Sequence, residues 1–323
     1  MDIFQERYRC LFPRQSNGFW NQVLNQIEHI TEVRIRVNSP IIIYHNQREI
    51  SLDEEGNFLY AVHKGYRFDY NQLQNLINFW CMDSRYAFNE EMKRGYITVK
   101  GGHRIGICGE IICDQTGKLQ SIKYISSINM RIAHEIKGVA DVVYNHVCER
   151  EQIKNTLIIA PPGMGKTTLL RDLLRKISYG EDEKKGRNVA VVDERGEIAA
   201  CFQGIPQLDV GPKTDVMDQC EKKIGMQMLL QSMAPQVIAV DELVSKKERK
   251  MIRQMINRGC AVIATIHGEE QTEDGRLRKW YDGFQIIIFL LKKEGRFETK
   301  IYRVEEGKRC KDYLEQYVSS QDV

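Results

Sequence analysis

A glycine-rich segment beginning at Ala160 has the residue types and spacing of a phosphate-binding loop. Residues 160–168 read APPGMGKTT and follow the apolar run TLII at 156–159, and an amphipathic helix pattern comes next. In such a loop, backbone N–H groups and the N-terminus of the following helix bind phosphate oxygens. The segment therefore predicts a nucleoside triphosphate site on a strand, loop and helix.

Within this motif, each polar residue has a predicted role. Lys166 is expected to reach the β- and γ-phosphates, and the Thr167 hydroxyl is expected to ligate Mg²⁺. Ala160 stands where the strict pattern has glycine, and alanine is small enough for that position if its φ is negative. The predicted nucleotide-binding residues are Pro162, Gly163, Met164, Gly165, Lys166, Thr167 and Thr168.

Two other apolar strands end in acidic residues. The run VIAV at 237–240 precedes Asp241 and Glu242. Downstream of a phosphate loop, such a strand is expected to lie beside it, with Asp241 on the Mg²⁺ shell and Glu242 orienting the attacking water. The pattern predicts hydrolysis of the bound nucleotide.

The run VAVV at 189–192 precedes a second set of acids, Asp193, Glu194 and, further on, Glu197. The carboxyl ends of parallel strands share one edge of the sheet, where ligands bind. We therefore count Asp193 with the metal-binding residues and Glu194 and Glu197 with the catalytic ones. Whether Glu242 or Glu194 orients the water stays open, and solvated acids at a strand end are the alternative for this segment.

Two further side chains are candidates for the reaction. His267 ends a third apolar strand, in ATIHG, where it could sense the γ-phosphate or signal to a neighbouring subunit. The developing charge on the phosphate also needs a cation. Arg131, just before the change in sequence character near Gly138, is the first choice, and Arg34, Arg36 and Arg104 are weaker candidates.

The pattern of elements divides the chain into two parts. Residues 1–138 mix helices and strands, with a hairpin signal at Gly101-Gly102, and predict a smaller α+β domain. In residues 139–323, apolar runs alternate with helices, which predicts a parallel sheet covered on both faces. The expected fold class is α/β, with a RecA-like P-loop domain following the α+β domain.

Composition narrows the classes of function. The 323 residues carry a net charge of +3 with a pI near 8.3, which does not by itself indicate nucleic-acid binding. Nine scattered cysteines without a Cys-x-x-Cys pair favour reduced thiols. The N-terminus lacks the apolar core of a signal peptide, and the longest apolar run, 284–291, is too short to span a membrane.

The motifs, in this order, resemble the Walker A, Asp, Walker B and His boxes of the type II/IV secretion and pilus ATPases. The segments EVRIRV at 32–37, GGHRIGICG at 101–109 and SINMRIA at 127–133 are further similar to a sporulation-specific family of endospore-forming bacteria. The resemblance covers nearly the whole chain. It implies that Asp193, Glu194 and Glu197 form the Asp box, and that Arg131 reaches nucleotide from the N-terminal domain.

The same resemblance implies a biological role. The expected protein is a homo-oligomeric ring, a hexamer, that hydrolyses ATP with Mg²⁺ on the cytoplasmic, mother-cell side of a membrane. It would power or assemble the channel between mother cell and forespore. Its expected partners are integral membrane proteins of that channel, with no nucleic acid and no direct membrane insertion.

Three departures from the family pattern keep an alternative open. Lys213 and Gln231 stand where arginines are expected, and Val244 replaces a glycine. Lysine lacks the bidentate geometry of arginine and glutamine lacks its charge. An ATP-binding assembly scaffold with little hydrolysis is therefore the second hypothesis. A DNA-handling P-loop ATPase, supported only by the mild basicity of the chain and the basic run at 246–250, is the third.

Overall fold

The computed structural model divides into two compact units, Met1–His134 and Glu135–Val323. We had expected the boundary at residue 138. The structure describes residues 7–150, 152–181, 184–269, 283–293 and 296–304, and the backbone of 312–319. Residues 1–6, where a signal peptide would begin, lie outside the described residues.

The first unit is built on a seven-stranded antiparallel sheet with the order β4-β3-β2-β1-β7-β6-β5. Its strands are β1 (Ile30–Arg36), β2 (Ile42–His45), β3 (Arg48–Leu52), β4 (Phe58–Leu59), β5 (Tyr96–Val99), β6 (His103–Cys113) and β7 (Leu119–Arg131). Its helices are α1 (Asn17–Asn25), α2 (Tyr70–Trp80) and α3 (Asn89–Lys93).

Local sequence explains most of these elements. Asp69 caps α2 in a full capping box with Gln72. Gly101 and Gly102 adopt φ values of +87° and +79° and connect β5 to β6, which confirms the predicted hairpin. Helix α1 stops at Asn25, and Ile30 already belongs to β1.

His103 is a fully buried side chain at the start of β6. Its Nδ1 accepts a hydrogen bond from the Ala133 N–H (3.0 Å), so the ring must be unprotonated there, and Nε2 donates to the Arg7 carbonyl (3.1 Å). Burial lowers the pKa of His103 from its usual 6.5 to about 3. The histidine in the GGHR segment is therefore a neutral structural residue.

This burial predicts a pH dependence of folding. Between pH 6.5 and pH 3 the unfolded chain binds a proton at His103 that the folded chain does not, so stability is full above pH 6.5 and falls as the pH drops. We expect a loss of about 2 kcal/mol from pH 7 to pH 5, measured by urea unfolding. His103→Gln, which offers one donor and one acceptor but does not titrate, should remove this slope. His63→Gln, at an exposed position, should keep it, and equal slopes in both variants would contradict the account.

The second unit contains an eight-stranded sheet with the order β12-β11-β13-β14-β10-β15-β16-β17. The six strands from β12 to β15 are parallel to their neighbours, and β16 and β17 are antiparallel. The strands are β10 (Thr156–Ala160), β11 (Val189–Asp193), β12 (Thr214–Asp218), β13 (Val237–Val240), β14 (Ala261–His267), β15 (Ile286–Lys293), β16 (Arg296–Arg303) and β17 (Asp312–Ser319).

Helices cover this sheet on both faces. They are α4 (Asp141–Val147), α5 (Lys166–Tyr179), α6 (Lys222–Ser232) and α7 (Lys246–Asn257), and a short ribbon, β8 (Cys148–Glu149) and β9 (Gln152–Ile153), precedes β10. Alternate strand residues enter opposite cores: Ile158 packs with the α4 and α5 side chains, and Leu157 with those of α6 and α7. The predicted two-sided parallel sheet is confirmed, and it explains why these strands are apolar throughout.

The strand order has one feature that the sequence analysis did not address. The strand that ends before Asp241 does not lie beside the phosphate-loop strand, because β14 is inserted between β13 and β10. In the ladder, Ala160 of β10 pairs with His267 of β14, and Ala264 of β14 pairs with Val240 of β13. The three strands end at the same edge, so the intervening strand adds its own side chains to the candidate site.

Candidate functional site

The loop from β10 to α5 has the backbone that a phosphate-binding loop needs. Gly163 and Gly165 have φ values of +75° and +78°, and Gly165 is the N-cap of α5. A Cβ at either position would meet no atom within 4 Å, so backbone conformation rather than space requires glycine. Ala160 is the last residue of β10, where an extended backbone accepts alanine, and Met164 packs against the core.

Lys166 is a buried cation with neutral partners. Its Nζ donates to the carbonyls of Ala160 (3.2 Å) and Pro161 (3.1 Å) and to Nδ1 of His267 (3.0 Å). Burial lowers the pKa of Lys166, and the more distant Asp241 and Glu242 only partly oppose this. The ammonium is therefore held at the mouth of the loop without a directly bound anion.

Thr167 and Asp241 meet across the edge of the sheet. The Thr167 hydroxyl donates to Oδ2 of Asp241 at 2.7 Å. The other carboxylate oxygen, Oδ1, accepts a hydrogen bond from the hydroxyl of Thr265, and the Glu242 N–H lies 3.1 Å from it. Helix α5 and strands β13 and β14 thus orient one carboxylate together.

Thr265 is a residue that the sequence analysis missed. It is fully buried on β14, and its hydroxyl also accepts the Glu242 N–H at 2.9 Å. The available signal was its spacing, because residues two apart on a strand share a face and Thr265 lies two before His267. Its contacts make it a positioning residue for Asp241 and Glu242.

If the site hydrolyses ATP, as its motifs predict, replacing Thr265 with valine is expected to lower the turnover number about tenfold, because Asp241 loses a charge-assisted hydrogen bond while the side-chain shape is kept. Nucleotide affinity should change less than about twofold, since the loop itself is untouched. Steady-state kinetics with Thr265→Ser as the matched control would separate the hydroxyl from the packing. Equal turnover of the valine and serine variants would contradict the assignment.

Four side chains form a continuous line at this edge. Nδ1 of His267 accepts a hydrogen bond from the Lys166 ammonium, so the proton of the imidazole is on Nε2. Nε2 donates to Oε1 of Glu242 at 2.9 Å. The second oxygen of Glu242, Oε2, pairs with Nη1 of Arg195 at 2.6 Å. Glu242 itself has a left-handed φ of +52°, a strained backbone for a non-glycine residue. The structure therefore joins Lys166, His267, Glu242 and Arg195.

Asp193, which we predicted as a metal ligand, makes three hydrogen bonds to backbone groups. It is buried, and its carboxylate accepts the backbone N–H groups of Glu197 (2.9 Å), Ile198 (3.0 Å) and Ala199 (2.9 Å). Burial raises its pKa, and these hydrogen bonds oppose the rise. Asp193 thus shapes the loop after β11, and its role as a metal ligand stays a prediction.

The other predicted catalytic residues make contacts outside the line from Lys166 to Arg195. Glu194 pairs with the buried Lys222 at 2.7 Å, and the Glu197 carbonyl accepts Nη2 of Arg171 at 2.7 Å. Arg131 belongs to the first unit, where its Nε is 3.7 Å from Oε1 of Glu32. The catalytic roles of Glu194, Glu197 and Arg131 stay predictions.

The structure also shows where two of the departures from the family pattern lie. Lys213 precedes β12 at the amino edge of the sheet, and its Nζ donates to the Gly186 carbonyl at 2.8 Å. Gln231 lies near the end of α6. Lys213 is therefore a strand length, about 16 Å, from the carboxyl edge where the candidate site lies.

Fold and site together define a P-loop protein with the architecture of the secretion ATPases. Legionella pneumophila DotB superposes with a TM-score of 0.54 at 15% identity, covering 89% of this chain and 81% of DotB. The pilus retraction motor PilT, solved with bound ADP, gives a TM-score of 0.56 at 16% identity, covering 89% and 83%. At these identities the likeness shows the fold.

Sequence comparison gives the family. The model of the family described as sporulation stage III, protein AA, matches residues 9–297. Stage III sporulation protein AA of Bacillus subtilis strain 168 is 37% identical over 239 residues, which are 74% of this chain and 73% of that protein. The chain belongs to the sporulation stage III protein AA family, as its motifs indicated. In the described residues, no helix has the length and apolar character to cross a membrane.

Proposed function

We propose that this chain binds ATP and hydrolyses it with Mg²⁺. The observation that carries the proposal is Lys166, a buried ammonium at the mouth of a phosphate-binding loop whose direct partners are two carbonyls and an imidazole. An arriving phosphate would supply the anion that this desolvated cation lacks. The ADP in the PilT structure, which has the same fold, supports a nucleotide as the ligand.

Thr167 and Asp241 fit a magnesium ion. Mg²⁺ prefers oxygen ligands and is commonly held by one or two protein groups together with substrate phosphates. The Thr167 hydroxyl and the Asp241 carboxylate are adjacent oxygens beside the loop. Among the described residues no group of three or more His, Cys, Asp or Glu could hold a metal by itself, so phosphate and water would complete the shell. When bound, Mg²⁺ would neutralise charge on the phosphates.

Each of the remaining residues has a separate role in the proposed hydrolysis. Glu242 orients the attacking water and takes up its proton at a carboxylate oxygen, and His267 and Arg195 hold that carboxylate in place. The Thr265 hydroxyl positions the Asp241 carboxylate and the Glu242 backbone through one hydrogen bond to each. Lys166 stabilises negative charge on the terminal phosphate. His267 connects the phosphate-binding lysine to the base, because it contacts both Lys166 and Glu242.

Membership of the sporulation family supports the biological part of the proposal. The chain would assemble into a ring, expected to be a hexamer, at the cytoplasmic face on the mother-cell side. There it would power or assemble the channel to the forespore through integral membrane partners. Steady-state hydrolysis by the purified chain, with Mg²⁺ or with EDTA, tests the chemical part. Turnover that requires Mg²⁺ is expected, and equal phosphate release in EDTA would refute it.

A second candidate, an ATP-binding scaffold with little hydrolysis, is favoured by one observation. Both carboxylate oxygens of Glu242 are engaged, one by Arg195 and one by His267, so this arrangement has no free base. ATP-dependent assembly, followed by sedimentation velocity, discriminates the two functions. Assembly that persists unchanged in Glu242→Gln and Glu194→Gln, with background turnover in the wild type, would favour the scaffold.

A further inference from the structure

Arg171 is a buried arginine of α5 that has no role in the hydrolysis proposed above. It is only 8% exposed, although an arginine is always charged and is seldom buried without partners. Its Nη2 donates to the Glu197 carbonyl at 2.7 Å, and its Nε donates to the Ile198 carbonyl. The Arg171 guanidinium therefore connects the phosphate-loop helix to the 194–199 segment, which follows β11.

The 194–199 segment is also held from β11 itself. Asp193, the last residue of β11, accepts the backbone N–H groups of Glu197, Ile198 and Ala199. Two peptide units of the segment thus bind the Asp193 carboxylate through their N–H groups and the Arg171 guanidinium through their carbonyls. Arginine presents its donors in a rigid planar fork, so two such contacts fix the orientation of the segment as well as its position.

The position of this segment determines where Arg195 lies. Arg195 is two residues before Glu197, and Gly196 between them has a φ of +64°, which residues with a Cβ rarely adopt. Nη1 of Arg195 pairs with Oε2 of Glu242 at 2.6 Å, but the Arg195 side chain is 63% exposed. An ion pair of such an exposed side chain contributes little by itself. The backbone of the segment therefore has to place Arg195 within reach of the glutamate.

The contacts of this region form a closed circuit that begins and ends on α5. From Lys166, at the start of the helix, hydrogen bonds and an ion pair lead through His267 and Glu242 to Arg195. From Arg195 the chain continues into the part of the segment that Arg171 holds. Arg171 is five residues after Lys166, about 7.5 Å along the helix axis. One helix thus contacts both ends of the group that surrounds the base.

We propose that Arg171 is a positioning residue for the hydrolysis. It fixes the 194–199 segment on α5, so that Arg195 reaches Glu242 and holds the carboxylate of the base in place. The inference rests on the proposed ATPase function and adds to it a residue that acts through Arg195, without being assigned any contact with the nucleotide. A buried arginine that serves the stability of the core alone is the competing explanation.

Hydrogen exchange of the nucleotide-free, full-length chain tests the positioning without any need for turnover. The amides of residues 197–199 are expected to be protected in the wild type and to exchange about tenfold faster or more in Arg171→Gln. The amides of β13 should keep their wild-type rates, which shows that the variant is folded. Arg253→Gln, at an exposed position of α7, is the control and should change neither set. Unchanged exchange at 197–199 in Arg171→Gln would overturn the proposal.

Steady-state kinetics separate positioning from stability. Arg171→Gln should lower the turnover number about tenfold and change KM for ATP less than about twofold, because the phosphate loop is untouched. Arg195→Gln should have a similar effect, and the double variant should be no slower than Arg195→Gln alone, since Arg171 acts through Arg195.

The outcome of the double variant decides between the two explanations. Effects of Arg171→Gln and Arg195→Gln that multiply, or wild-type turnover in Arg171→Gln, would overturn the positioning role. Background turnover in the wild type would instead refute the proposed ATPase, and the exchange rates at residues 197–199 would then decide by themselves whether Arg171 positions the segment.

Discussion

Glu242→Gln is expected to lower the ATP turnover number about a hundredfold or more, because glutamine cannot accept the proton of the attacking water. Nucleotide affinity should change less than about threefold, since Glu242 contacts His267 and Arg195 rather than the phosphate loop. Steady-state hydrolysis gives the turnover, and titration with a fluorescent ATP analogue gives the affinity.

Glu194→Gln is the matched control for this substitution. Glu194 follows a neighbouring strand and pairs with Lys222, and it makes no contact with the line of residues from Lys166 to Arg195 in the contacts described above. Its replacement should therefore lower turnover far less than Glu242→Gln does. Collapse of turnover in Glu194→Gln with near-normal activity in Glu242→Gln would assign the base to the other strand and refute our choice.

Lys166→Ala is expected to weaken ATP binding about a hundredfold or more. The lost interaction is a buried, charge-assisted contact with the phosphates, which contributes more than an exposed ion pair does. Calorimetric titration of the purified variant with Mg-ATP measures the effect directly. Turnover should be lost as well, because the same ammonium stabilises the charge on the phosphate.

The effect of Lys166→Ala can be separated from misfolding. Removing a buried cation without a bound carboxylate relieves a desolvation penalty, so the unfolding temperature of the nucleotide-free chain should fall by no more than about 3 °C. Lys223→Ala, an exposed lysine of α6, should bind ATP as the wild type does. Wild-type affinity in Lys166→Ala would mean that the loop does not hold the nucleotide.

For the proposed hydrolysis, the line from Lys166 to Arg195 would link nucleotide binding to the freedom of the base. In the arrangement described, Lys166 donates to His267 and His267 donates to Glu242. A phosphate that draws the Lys166 ammonium away from Nδ1 would leave that nitrogen without its donor and loosen the hold of His267 on Glu242. The occupancy of the loop would in this way change the freedom of the base.

The sequence was sufficient for features that depend on local patterns. The phosphate loop needs glycine at positions of positive φ and a Lys-Thr pair at the helix start, and residues 163–167 supply both. The strand β13 was predicted with its observed bounds, because four apolar residues between polar ones mark a strand buried on both faces. These signals need no knowledge of the tertiary fold.

Features that depend on strand order were beyond the sequence. The insertion of β14 between β10 and β13 is set by how the helices cross over, and neighbouring strands in the chain carry no mark of it. Thr265 therefore could not be recognised as a partner of Asp241, and Asp193 looked equivalent to Asp241 because both end apolar strands. In the structure the two acids have different partners: Asp193 accepts backbone N–H groups of the loop that follows it, whereas Asp241 accepts the hydroxyls of Thr167 and Thr265.

The most direct test of the account is Mg-ATP turnover per chain, measured over a wide range of protein concentration for the wild type and Glu242→Gln. We predict turnover that rises with concentration, as an active site completed in a ring requires, and that collapses in the variant at every concentration. Turnover at background level in both proteins over the whole range would contradict the proposed ATPase and leave an ATP-binding scaffold as the function.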